Sequence, residues 1–192
     1  AVFFANPRGS SGYGDDFSSV LTGHWGEMEH EDLMAGIDVL VEKGITDPDR
    51  LGVCGLSYGG YMTCYMVGQT DRFKAAVSEN PITDLFSRYA TTDIGPSFSP
   101  GEMGGLPYEI PEVYRRGSPT VHAHQCTTPT LLIQGEADYR CTAEQSEEFY
   151  GILRSNGCTV EMLRFPKCSH LGAITGPTFV REAQNTALLE WM

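Results

Sequence analysis

Short, almost wholly apolar runs along this chain alternate with longer segments whose apolar residues recur every three or four positions. That alternation predicts strands separated by helices. The runs AVFFA (1–5), LGVCGL (51–56), FKAAVSE (73–79), PTLLIQG (129–135) and TVEMLRF (159–165) are the predicted strands. Between residues 27 and 43, Leu33, Ile37, Leu40 and Val41 share one helical face, acids crowd the beginning, and Lys43-Gly44 closes the segment. YMTCYMVGQ after Ser57, TAEQSEEFYGILRSNG after residue 141 and residues 178–191 are predicted helices. The second carries a capping-box pattern, Thr142 to Gln145, and an Asn156-Gly157 stop. NPRGSSGYG, TDPDR and NPITD are turn-rich connections.

Mostly apolar strands separated by helices define an α/β fold: a mostly parallel sheet with helices on both faces, because such strands are buried on both sides. Residues 86–128 break the rhythm. They are rich in Pro, Gly and aromatics with only a weak helical pattern, and they sit between two strands, so they are expected to overhang a rim of the sheet.

The 192 residues suffice for one domain with a real core. With 25 acids against 13 bases the net charge is −12, which argues against nucleic acid or an anionic membrane as partner, since both need a positive field. No apolar run is long enough to span a bilayer and no signal-like segment is present, so a soluble chain is expected. Six scattered cysteines lack CxxC pairs and zinc spacing; reduced thiols in a cytoplasm, and no metal or other cofactor, are the expectation. Cys54, within an apolar strand, is expected to be buried.

Within this frame the stretch GLSYGG (55–60) carries the chemistry. A serine at a strand-to-helix corner, with Gly55 and Gly59 two residues either side to relieve crowding, is how a nucleophile is held out into a cleft. The Tyr58 amide, at the helix N-terminus, is placed to donate to a developing oxyanion. LLIQGEADYR brings Glu136 and Asp138 just past a strand end, and LRFPKCSHLG brings His170 past the next. In a parallel sheet all these ends share one rim. His24 and His30 precede the serine, and the pair His122 and His124 precedes the acid-bearing strand. That leaves His170 as the base, with Asp138 or Glu136 as its acid.

NPRGSSGYG, GLSYGGYMT, DRFKAAVSENPITD, PTLLIQGEADYRC and RFPKCSHLG together resemble the catalytic domain of the prolyl oligopeptidase family, over nearly all 192 residues, with greatest similarity to its acylaminoacyl-peptidase branch. The resemblance implies an α/β-hydrolase fold and a Ser57–Asp138–His170 triad. It also implies a peptidase acting near the N-terminus of short peptides, releasing acylated residues or dipeptides, and an upstream β-propeller restricting access. Tyr58, Ile82, Leu85 and Tyr89 resemble positions that wall the pocket for the residue before the cut. Arg140 is expected to brace its loop, or else to bind a peptide carboxyl. The family's HGGP-like loop, source of a second oxyanion amide, does not occur in these rows, so an N-terminally truncated catalytic domain lacking the first strands is expected. An exposed sheet edge would then favour self-association. A carboxylesterase with the same triad, and a weakly active domain serving as an assembly module, are the alternatives.

Overall fold

In a computed structural model, which describes residues 1–192, four strands form one parallel sheet in simple chain order. The elements are α1 (Asp15–Ser19), α2 (Glu27–Glu42), β1 (Leu51–Leu56), α3 (Tyr58–Val67), β2 (Phe73–Glu79), α4 (Leu85–Thr91), α5 (Gly95–Met103), α6 (Pro111–Arg116), β3 (Thr130–Gly135), α7 (Ala143–Ser155), β4 (Val160–Phe165), α8 (Gly172–Thr175) and α9 (Thr178–Trp191). Two short 3-10 turns, Pro119–Val121 and Ala123–Gln125, precede β3. No helix is long and apolar enough to cross a membrane.

Alternation along the central strands assigns the faces. Ala76 and Leu132 pack with Cys64 and Val67 of α3 and Phe149 and Leu153 of α7. Their neighbours Val77, Leu131 and Ile133 point the other way, against Ala187, Leu188 and Trp191 of α9. Helices therefore cover both faces, as the continuous apolar runs required. Every residue of β3 is buried, whereas β1 and β4, each paired on one side only, are partly exposed. A third cluster, joining Trp25, Tyr61, Tyr65, Leu85 and Tyr114, ties α3 to the α4–α6 segment.

Several expectations are corrected. AVFFA forms no strand: β1 carries no partner on its outer edge, and an apolar run without a ladder partner cannot satisfy its backbone groups. The segment stays largely exposed, with Phe3 packed over Gly36 of α2 and Arg8 anchored to Asp32 (Nε–Oδ1 3.0 Å). Cys54 is exposed, because β1 is an edge strand. The capping box at Thr142 does not form; buried Gln145 turns instead to accept from the amides of Thr83 (2.8 Å) and Asp84 (2.9 Å), fastening the exit of β2 to α7. Residues 86–128, weakly patterned in sequence, hold most of α4 and all of α5 and α6.

Candidate active site

The turn from β1 into α3 is sharp. Ser57 sits at φ 62°, outside the comfortable range of a residue with a side chain, and such a conformation costs on the order of 1–3 kcal/mol. It is held by the Ser57 amide donating to Glu79 O (2.9 Å) and by Tyr61 donating to Ser57 O (2.8 Å). The glycine requirement is asymmetric. A Cβ at position 55 would lie 2.4 Å from the backbone of Gly59, whereas one at 59 would meet nothing, so the expected role of Gly59 as a relief of crowding is replaced. Gly60 is the second tight position, 2.7 Å from Glu79 O. The chain can turn only because positions 55 and 60 have no side chain.

All four strands end at one rim, and the loops leaving β1, β3 and β4 meet there. Ser57 Oγ lies 2.8 Å from His170 Nε2, and His170 Nδ1 lies 2.7 Å from Asp138 Oδ2. An ionised carboxylate only accepts, so the Nδ1–H donates to Asp138, and Nε2 is left as acceptor for the serine hydroxyl. The Asp138 side chain is fully buried, and its other oxygen accepts from the amides of Arg140 (2.8 Å) and Cys141 (2.9 Å). Glu136 faces away, paired with Arg164 (3.0 Å) at the surface. Of the two acids left open by position, only Asp138 reaches the imidazole.

Residues without a sequence signal complete the frame. Asn80, buried at φ 43°, donates through Nδ2 to His170 O (2.8 Å), while its Oδ1 accepts from the amide of Gly135 (2.8 Å). It thereby ties the end of β3 to the His170 loop. Glu29, buried in α2, accepts from the Tyr58 hydroxyl and from the Gly26 amide (3.1 Å). Burial pushes its carboxyl above the usual range. Trp25 stacks edge-on against Tyr58, ring centroids 4.8 Å apart. Asn80 is recognisable only through its positive φ, and Glu29 only through its burial.

A cavity of about 200 Å³ opens beside Ser57 and His170. Tyr58 and Ile82, both expected in the pocket, line it; Leu85 and Tyr89 do not, Leu85 being packed in the core that Tyr89 adjoins. Arg88, Ile94 and Phe98 join the lining, so the 86–128 segment does overhang this rim. Arg140 lines it too, with its guanidinium held by Asp93 (Nε–Oδ1 2.7 Å). Cys141 is a rival nucleophile on the same wall, but burial pushes its thiol up to about 12, leaving roughly one thiolate in 10⁵ at neutral pH. The remaining histidines stand apart: His24 pairs with Glu27 at the surface, and His30, His122 and His124 lie outside the cavity. No cluster of three or more His, Cys, Asp or Glu side chains is placed to hold a metal ion.

A parallel sheet with helices on both faces, a serine on a strained strand-to-helix corner and a histidine–carboxylate pair at the same rim define the class of α/β-hydrolase domains. The chain belongs to the prolyl oligopeptidase family, whose profile matches residues 1–192. It is 40% identical over 177 residues to the uncharacterized peptidase YuxL of Bacillus subtilis (strain 168), covering 92% of this chain and 27% of that protein. It is 33% identical over 174 residues to the acylamino-acid-releasing enzyme of Arabidopsis thaliana, covering 86% of this chain and 23% of that one. Among solved structures, the acylaminoacyl peptidase of Pyrococcus horikoshii superposes with a TM-score of 0.92 at 38% identity, over 96% of this chain and 30% of its own. A puromycin-hydrolyzing peptidase of Mycobacterium tuberculosis gives 0.80 at 38% identity, over 86% of this chain and 25% of its own. The chain thus spans less than a third of the length of these relatives.

Proposed function

We propose that this chain is the catalytic domain of a longer serine peptidase, with Ser57 as nucleophile, His170 as general base and acid, and Asp138 as the residue that orients the imidazole. The observation that carries this reading is the continuous relay from Ser57 Oγ through His170 to Asp138, 2.8 and 2.7 Å long, at one sheet rim. Attack of Oγ on a peptide carbonyl passes the serine proton to Nε2. The buried Asp138 carboxylate, fixed by two backbone amides, stabilises the imidazolium without needing to take its proton. The Tyr58 amide, first of α3 and without an intrahelical acceptor, faces the developing oxyanion aided by the helix dipole. Nε2–H then protonates the leaving amine, and water cleaves the acyl-enzyme by the same route.

The names of the acylamino-acid-releasing relatives support peptides with an acylated N-terminal residue as substrates; short length and release of a dipeptide rest on the family resemblance. One structure similar to this chain holds the peptide inhibitor Z-Gly-Gly-Phe-chloromethyl ketone. The relatives' greater length supports further domains in the full protein, of which the family resemblance implies an upstream β-propeller. The six unpaired cysteines suit a reducing cytoplasm, and the open edge of β1 supports pairing with a further strand or a second copy. Esterase activity is the second reading, because the relay does not distinguish ester from amide. Turnover of an N-acetyl-alanine p-nitroanilide and of the matching p-nitrophenyl ester separates the two. Peptidase function predicts hydrolysis of both and loss of both in Ser57→Ala; hydrolysis of the ester alone would favour the esterase.

A further inference from the structure

The lining of the cavity beside Ser57 includes a nearly buried cation that forms no salt bridge. Arg88 is only 3% exposed, yet its Nε has no hydrogen-bond partner. Its Nη1 donates to Ser99 Oγ (3.2 Å), and its guanidinium lies 5.6 Å from the centroid of the Phe98 ring. Nε is sealed from solvent, and Nη2, which donates to no group of the chain, is the guanidinium donor left free. Of the acids whose field reaches Arg88, Asp93 is held by Arg140, and Glu102 accepts from Trp25 Nε1 (3.3 Å) without forming a salt bridge to Arg88. Burial disfavours the charge, which nonetheless persists because arginine does not lose its proton in proteins.

Arg88, Arg140 and His170 line the cavity and no aspartate or glutamate does; Arg140 is already matched by Asp93 and the His170 imidazole by Asp138, which leaves Arg88 as the one charged group of the lining without an ion-pair partner. A buried, unpaired charge is among the most expensive features a fold can carry. Its cost is recovered when a ligand brings the opposite charge. The volume, about 200 Å³, suits one side chain rather than a larger group, since pockets for drug-sized molecules start near roughly 300 Å³.

Resting on the serine-peptidase reading, we propose that Arg88 makes this cavity a receptor for an acidic side chain, aspartate or glutamate, on the residue whose carbonyl Ser57 attacks. The carboxylate pairs with the guanidinium at Nη2, and Ile82 and Phe98 flank the methylene stem.

The test uses two N-acyl diphenyl phosphonates that differ only in a glutamate or a glutamine side chain, with the rate of Ser57 phosphonylation read by intact-protein mass spectrometry. The glutamate probe is expected to react about tenfold faster or more, the scale of one charge-assisted hydrogen bond. In Arg88→Met the glutamate-to-glutamine ratio falls to about one, and in Arg88→Lys it keeps part of its value. Each ratio is internal to one variant, so a general loss of reactivity cancels. If Arg88→Met does not fold, the wild-type ratio and Arg88→Lys carry the test. Equal rates in the wild type, with Ser57 labelled, overturn the acidic-pocket proposal and leave the serine-hydrolase reading standing. Failure of a plain fluorophosphonate to label Ser57 overturns that reading instead. Calorimetric binding of N-acetylglutamate against N-acetylglutamine then decides the pocket alone: tighter glutamate binding supports it, equal or absent binding overturns it.

Discussion

Asn80 offers the most demanding test of how the site is held. In Asn80→Ala two hydrogen bonds vanish together, a partly buried one from Nδ2 to His170 O and a buried one from the Gly135 amide to Oδ1, each 2.8 Å. Both backbone partners are left without their acceptor or donor. A buried polar group so orphaned costs about 1–3 kcal/mol; the Gly135 amide bears that cost and the partly buried His170 carbonyl, which water reaches, a smaller one, about 1–4 kcal/mol together. The backbone adds its own term, because φ is 43° and alanine tolerates the left-handed region less well than asparagine by about 1 kcal/mol. The sum, roughly 2–5 kcal/mol, is a sizeable part of the 5–15 kcal/mol that holds a typical domain together. Urea unfolding of Asn80→Ala and Asn80→Gly separates the contributions: glycine loses both bonds but is at ease at positive φ, so it should be the milder change by up to about 1 kcal/mol. Both should also slow fluorophosphonate labelling at Ser57, since the His170 loop loses its tie to β3. A cost below about 1 kcal/mol for Asn80→Ala would refute the assignment of Asn80 as the clasp between these two loops.

Other outcomes follow from the same geometry. Gly55→Ala places a Cβ 2.4 Å from the Gly59 backbone and should destabilise the corner by several kcal/mol, on the order of 2–4, whereas Gly59→Ala, with open space around it, should cost under about 1 in urea titrations. Iodoacetamide at mild alkaline pH should modify exposed Cys54 first and spare Cys141, whose thiol is pushed up to about 12; peptide mapping in the folded state checks the order. Burial raises the Glu29 carboxyl, so the folded chain takes up that proton more readily than the unfolded one. Stability of the wild type relative to Glu29→Gln should accordingly increase as pH falls from neutrality through the folded value of Glu29 towards the ordinary value of 4.5; unfolding titrations at several pH values measure the difference, and a decrease on acidification would contradict the burial of a charged Glu29.

Much of the fold was legible from apolar runs. β1 to β4 and the helices α2, α3, α7 and α9 lie where periodicity placed them, because each meets a partner that its pattern demands. AVFFA shows the limit of that logic: composition says what a segment prefers, but a strand exists only beside another strand, and β1 offers none on its outer edge. The same edge explains the exposure of Cys54. The histidine and the acid were legible because parallel strand ends share a rim, so chain order maps onto spatial proximity; selecting Asp138 over Glu136 required either the family resemblance or the coordinates. Asn80, Glu29, Gln145 and Arg88 were not legible. Each acts across a long sequence separation, clasping or facing groups on distant elements, and nothing in its local sequence announces the partner. The 86–128 segment hid its helices for a related reason: its aromatics pack into the cluster of Trp25, Tyr61 and Tyr114 rather than along one face of an isolated helix.

The central claim is that the hydroxyl at position 57 is made nucleophilic by the imidazole of residue 170, itself steadied by residue 138. Its most direct measurement is the labelling rate of the chain by a fluorophosphonate, with the adduct mapped by peptide mass spectrometry, across wild type, Ser57→Ala, His170→Ala and Asp138→Asn. The adduct should sit on Ser57, vanish in Ser57→Ala, and form more slowly by several orders of magnitude, about 10³–10⁴, in the other two. An adduct on another residue, or undiminished labelling once the imidazole is removed, would contradict the account.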